Sequence, residues 1–133
     1  MIPEFDDSGY LPPGVHPATL EEIAQRFGEE SEIRQAEMQS LRWLVDLVRR
    51  AGIKRLVVNG SFVADVLEPN DVDCALLVDL NSPPDPRTER ELAAGFPFLD
   101  IQLANQAAFD GLVGQIFATD RNYVPKGMVE VIL

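Results

Sequence analysis

The chain has 133 residues, 46% of them hydrophobic, enough to bury one core and too few for a separate substrate-binding domain of ordinary size. Its 22 acidic residues against 11 basic ones leave a net charge of −11, which repels a phosphate backbone and argues against a long nucleic acid as main partner. A single cysteine, Cys74, excludes an internal disulfide, and no stretch has the form of a signal peptide or the roughly 20 apolar residues of a membrane span, so the sequence predicts a soluble, cytoplasmic protein of one domain.

Residues 1–17, MIPEFDDSGYLPPGVHP, hold four prolines and two glycines with neither a helical nor a strand period, and read as an N-terminal arm. Thr19 and Glu22 form a capping box, Leu20, Ile23, Ala24 and Phe27 make an apolar stripe, and Gly28 stops this first short helix. The acidic run GEESE, residues 28–32, suits a solvated helix start. A longer helix follows, with Ile33, Glu37, Leu41, Leu44 and Val48 on nearly one face. Glu37 is its polar exception, Val45 widens the stripe, and Gly52 ends it, so this helix is fit to cover a sheet.

Residues 53–59, IKRLVVN, predict a strand; SFVADVL, a turn or two of helix; and VDCALLV, residues 72–78, a second strand after the Pro69-Asn70 turn. Residues 81–86 form a loop, and Thr88 with Glu91 caps another short helix. FPFLDIQL, residues 96–103, is the third strand. A last helix spans about 106–118, and GMVEVIL closes the chain as the fourth strand. The fold class is α+β: a mixed sheet of about four strands with helices packed mainly on one face.

Asp71 and Asp73 stand two apart at the start of a strand, so both side chains leave one face while Val72 turns into the core. Carboxylates held together repel, which raises a pKa or calls for a cation, and a hard oxygen-seeking ion such as Mg²⁺ meets that need. Asp100, flanked by Leu99 and Ile101, would bring a third carboxylate if its strand lies beside that of Asp71 and Asp73; Asp79, Asp85 and Asp110 are also available. Gly60 lets the backbone approach a ligand closely, and Ser61 with the free amides of a helix start makes a phosphate cradle. Each feature alone fits a tight turn, a capping serine or a solvated strand start. Their order, with every piece on its expected element, points to one site.

A hydrophobic strand ending in Gly-Ser (VVNGSF), an Asp-x-Asp strand about ten residues on (NDVDCA) and an isolated Asp on a later strand (LDI) resemble the polymerase-β-like nucleotidyltransferase superfamily. LPPGVHPATLEEIAQRFG, NGSFV and DRNYVPKGMVEVIL look like a small bacterial family of stand-alone, minimal nucleotidyltransferase-like proteins, a likeness that covers nearly the whole chain. The resemblance implies that Gly60 and Ser61 contact nucleotide phosphates, that Asp71 and Asp73 bind two Mg²⁺ ions, and that Asp100 joins the metal site and helps activate the attacking hydroxyl. It also implies a nucleoside triphosphate such as ATP as partner. Small relatives of this kind are often encoded beside a toxin and act as antitoxins, some by attaching AMP to it.

Arg121 and Lys126, among few cations in an acidic chain, are available to a triphosphate and equally suit a solvated loop or a local ion pair. His16 lacks a catalytic companion and reads as structural, Cys74 as a small core residue, and Trp43 as core packing or a partner interface. Two functions are expected from these residues. One is a Mg²⁺-dependent nucleotidyltransferase acting on a cationic protein or small-molecule acceptor, as the acid surplus favours. The other is a non-catalytic, antitoxin-like module of the same fold that neutralises a basic partner by binding.

Overall fold

Alternating apolar residues and well-capped helices set the framework. The computed structural model describes residues 1–79 and 81–133. Among these are five strands and four α-helices: β1 (Gly14–Ala18), α1 (Leu20–Phe27), α2 (Glu32–Ala51), β2 (Arg55–Asn59), β3 (Val72–Leu77), α3 (Pro86–Ala94), β4 (Leu99–Ala104), α4 (Gln106–Gly111) and β5 (Gly127–Val131). The strands form one open mixed sheet of order β1-β5-β2-β3-β4. β1 lies parallel to β5 and β3 parallel to β4, while β2 is antiparallel to both its neighbours.

The helix boundaries follow side-chain chemistry. Thr19 accepts from the Glu22 amide and Glu22 reaches back to the Thr19 amide, the reciprocal box expected for α1. Ser31 caps α2, and Gly52 ends it with φ 72, a left-handed geometry that glycine adopts without strain. α3 departs from expectation: Asp85, not Thr88, is its cap, the Asp85 carboxylate accepting from the Thr88 amide while Pro86 takes the first helical position. The predicted helix over 106–118 is shorter, α4 giving way at Leu112 to a π-helical turn, Leu112–Ile116. After β2 there is a single 3₁₀ turn, Ser61–Val63, where one or two turns of helix were expected.

The N-terminal arm is the main correction, because it contributes a fifth strand. β1 runs along the sheet edge with His16 opposite Val129 and Pro17 opposite Glu130. An edge strand tolerates proline, which is why GVHPA carries no strand signal of its own. Leu11 and Ile2 from the arm are buried, and His16 Nε2 donates to the Pro12 carbonyl at 2.6 Å, a structural role.

One face of the sheet, with Leu56, Val58, Val72, Cys74, Leu76 and Val129, packs on α1 and α2 and on Leu92 of α3. The other face, with Val57, Ala75 and Met128, is covered by Phe109 of α4 and by Leu112 and Phe117. Three helices thus share one face and α4 takes the opposite one. Trp43 is half-exposed on α2, so it is not a core residue. Among the described residues no helix is long and apolar enough to cross a membrane.

Candidate functional site

Strand pairing gathers the polar residues at one end of the sheet. β2 and β3 set Asn59 opposite Asp73, and the parallel β3–β4 ladder sets Asp73 opposite Asp100. Directly paired residues share a face, and Asp71 joins them by alternation along its strand. Val72 and Cys74 point the other way into the α1–α2 core, where burial pushes the Cys74 thiol well up. Asp71, Asp73 and Asp100 each offer a carboxylate oxygen, and the three oxygens lie within 4.8 Å of one another. Asp71 and Asp100 are exposed and Asp73 is half-buried, so the cluster is open to solvent.

The Gly60 backbone is pressed against this cluster. Gly60 has φ 88 and ψ −162, a region open essentially to glycine alone, and a Cβ built there would stand 2.6 Å from Asp73 Oδ2. Gly60→Ala is therefore expected to destabilise the fold by about 2–4 kcal/mol, from backbone strain plus displacement of the Asp73 carboxylate. A denaturant midpoint unchanged by this substitution would show that the turn relaxes freely. Ser61 follows at the start of the 3₁₀ turn, half-buried.

Lys126, just before β5, completes the group: its Nζ donates to Asn59 Oδ1 at 3.3 Å. Asn59 is 3% exposed and was not singled out in the sequence: alternation sets it on one face with Val57 and Arg55, and only the β2–β3 pairing brings that face to Asp73. Burial lowers the Lys126 pKa, while Asp73 and Asp120 hold it up. The loop before Lys126 is anchored by Asp120, which accepts from the Asn122 and Val124 amides and, at 2.7 Å, from the Tyr10 hydroxyl of the arm. Arg121 is exposed in that loop, and among the described residues nothing ties it to the cluster. Asp79, Asp85 and Asp110 stand outside the group of three.

Electrostatics fit a cation here. Burial pushes the Asp73 carboxyl up to about 6, with repulsion from Asp71 and then Asp100 adding to it and Lys126 opposing. Three carboxylates are hard oxygen donors, and a divalent ion among them would relieve that repulsion, so the donor set suits Mg²⁺ or a similar ion. A cavity of about 630 Å³ lies at the opposite end of the sheet, where Ile53, Lys54, Leu77 and Asn105 line it.

The chain belongs to DUF6932, a family of unknown function, which matches residues 3–132. No curated protein and no solved structure matches it. The DUF6932 match takes in every residue of the cluster, from Asn59 to Lys126, but carries no activity with it. Chemistry at this site therefore rests on the side chains themselves.

Proposed function

We propose that the protein is a nucleotidyltransferase of the polymerase-β-like kind, moving a nucleoside monophosphate from a nucleoside triphosphate to a hydroxyl of a protein or small-molecule acceptor. The observation that carries this reading is the meeting of Asp71, Asp73 and Asp100 within 4.8 Å beside the Gly60 backbone. Those three aspartates would hold Mg²⁺, two ions with nucleotide bound, and the metal would supply neutralisation of phosphate charge in an in-line displacement. Gly60 and Ser61 offer backbone and hydroxyl to the phosphates, Lys126 a half-buried cation, and Arg121 an exposed one from the loop before it. Asp100, exposed near the start of β4, accepts the proton of the attacking hydroxyl. The hydroxyl oxygen bonds to the α-phosphorus, the bond to the bridging oxygen breaks, and pyrophosphate leaves. These substrates and the free thiol of Cys74 suit the cytoplasm.

Incubating the protein with Mg²⁺, α-labelled nucleoside triphosphates and cell lysate should yield a labelled product and free pyrophosphate. In that assay Asp100→Asn should lower transfer at least about 100-fold by removing the proton acceptor, while thermal stabilisation by nucleotide mostly persists. Equal transfer in the variant would remove Asp100 from the mechanism. A second reading, an antitoxin-like module that neutralises a basic partner without catalysis, draws on the excess of 22 acidic over 11 basic residues. It would be favoured by partner binding that survives both Asp73→Asn and Asp100→Asn.

A further inference from the structure

Two charged residues of α2 lie deep in the core and are unused by the site. Arg34 is 2% exposed, and its guanidinium donates to the backbone carbonyls of Phe27, Ser61, Phe62, Ala64 and Val66. Four of those five carbonyls belong to the turn that follows Gly60. Glu37, one helical turn on, is 0% exposed, and neither of its carboxylate oxygens has a hydrogen-bond partner. Residues three apart on a helix are neighbours, so a buried cation and a buried carboxyl stand side by side, yet the cation is spent on carbonyls. The charged groups facing Glu37 are Arg34 from its own helix and Asp71 from the approach to β3; Glu30 and Asp65 face the guanidinium from the α1–α2 connection and from the turn.

A guanidinium has five N–H groups, and here they serve five carbonyls. Any N–H given to Glu37 is one withdrawn from these carbonyls, and five of the six hydrogen bonds are made to the turn. A protonated Glu37 is neutral and makes a far weaker demand on the guanidinium, its O–H needing an acceptor instead of a donor. An ionised Glu37 is a buried charge, and its nearest relief is Arg34. Burial, set against the pull of Arg34, lifts the Glu37 carboxyl to about 7, so both forms are populated near neutral pH.

We propose that Arg34 and Glu37 form a proton-operated latch on the turn 61–66: with Glu37 protonated, Arg34 clamps the turn to α2, and loss of that proton draws the guanidinium to the carboxylate and loosens the turn. The latch stands apart from the proposed catalysis, although its target carries Ser61 and adjoins Gly60, so it would set how firmly the phosphate side of that site is ordered.

Amide hydrogen exchange of the whole, metal-free chain tests it, with rates corrected for the intrinsic effect of pH. The reporters are the amides of Val63, Ala64, Asp65 and Val66, which donate to Gly60, Ser61, Gly9 and Ala64. Their protection should fall about tenfold between roughly pH 6 and pH 8 while the β2 amides Val57 and Val58 hold theirs. In Glu37→Gln the fall should vanish. The same fall in that variant, no fall in the wild type, or an equal fall across β2 would overturn the latch. Should Glu37→Gln fail to fold, a carbon-13 titration of the wild-type carboxyls decides: Glu37 and the turn must share one midpoint, and a Glu37 titration with no response in the turn rejects the proposal.

Discussion

Arg34→Met is expected to destabilise the protein by about 3–5 kcal/mol, the loss typical of a broken buried charge network. Methionine fills much of the space of the stem and donates nothing. The carbonyls of Phe27, Ser61, Phe62, Ala64 and Val66 would all lose a donor, and several lie where water does not reach. Arg55 gives the contrast. It makes a bidentate pair with Glu130, at 2.9 and 2.6 Å, and stacks over Phe109 at 4.8 Å, but the two side chains keep 35% and 24% of their exposure. Arg55→Met should therefore cost only about 1 kcal/mol. Arg34→Lys should fall between, since one ammonium cannot serve five acceptors in a fork. Equilibrium unfolding in guanidinium measures all three. A loss below about 1 kcal/mol for Arg34→Met would mean that the turn finds other donors or water, because an orphaned buried carbonyl costs at least that.

How much of this was legible in the sequence depends on how local each signal is. The Thr19–Glu22 box, the Gly52 stop and the strands around Val57 and Ala75 are written within a few residues of chain, and the structure follows them. Asp71, Asp73, Gly60 and Ser61 are local in the same sense. Asp100 is not: its place beside Asp73 depends on a parallel pairing with α3 in between, which no nearby residue announces. The Lys126–Asn59 contact spans 67 residues for the same reason. β1 was missed because its pairing with β5 is distant and Pro17 within it, with Pro12 and Pro13 just before, masks it. β4 starts at Leu99, later than the expected 96, because Phe98 takes φ 67 and breaks the extended run. In α2 the apolar period put Ile33 on the buried stripe, whereas Arg34 is buried there and Ile33 is only half so. A hydrophobic period cannot credit an arginine that satisfies itself on backbone carbonyls.

Asp73→Asn should act in opposite directions on the empty and the loaded protein. The Asp73 carboxyl titrates at about 6, raised above its ordinary 3.8 by burial and then by Asp71 and Asp100. An acid raised in the folded state favours folding fully below its unfolded pKa, and that contribution is lost as pH rises through the folded value. At about pH 8 the ionised group is thus a net burden, and asparagine removes it. The shift, discounted for partial exposure, gives a gain of about 1–2 kcal/mol, or roughly 3–8 °C in Tm. Near about pH 4 most of the wild-type carboxyl holds its proton and the gain should shrink toward zero. Added Mg²⁺ and nucleoside triphosphate reverse the order: at roughly ten to a hundred times Kd the wild type gains about 1.4–2.7 kcal/mol by mass action, and the variant, short of a ligand, should gain little. Thermal melting of both proteins at the two pH values, with and without ligand, makes the comparison. A wild type indifferent to millimolar Mg²⁺ and nucleotide would turn the cluster into ordinary surface carboxylates and leave the binding module as the better reading. A variant no more stable than wild type at high pH, together with a wild type that responds to ligand, would instead mean that Lys126, held at Asn59, already neutralises Asp73 before any metal arrives.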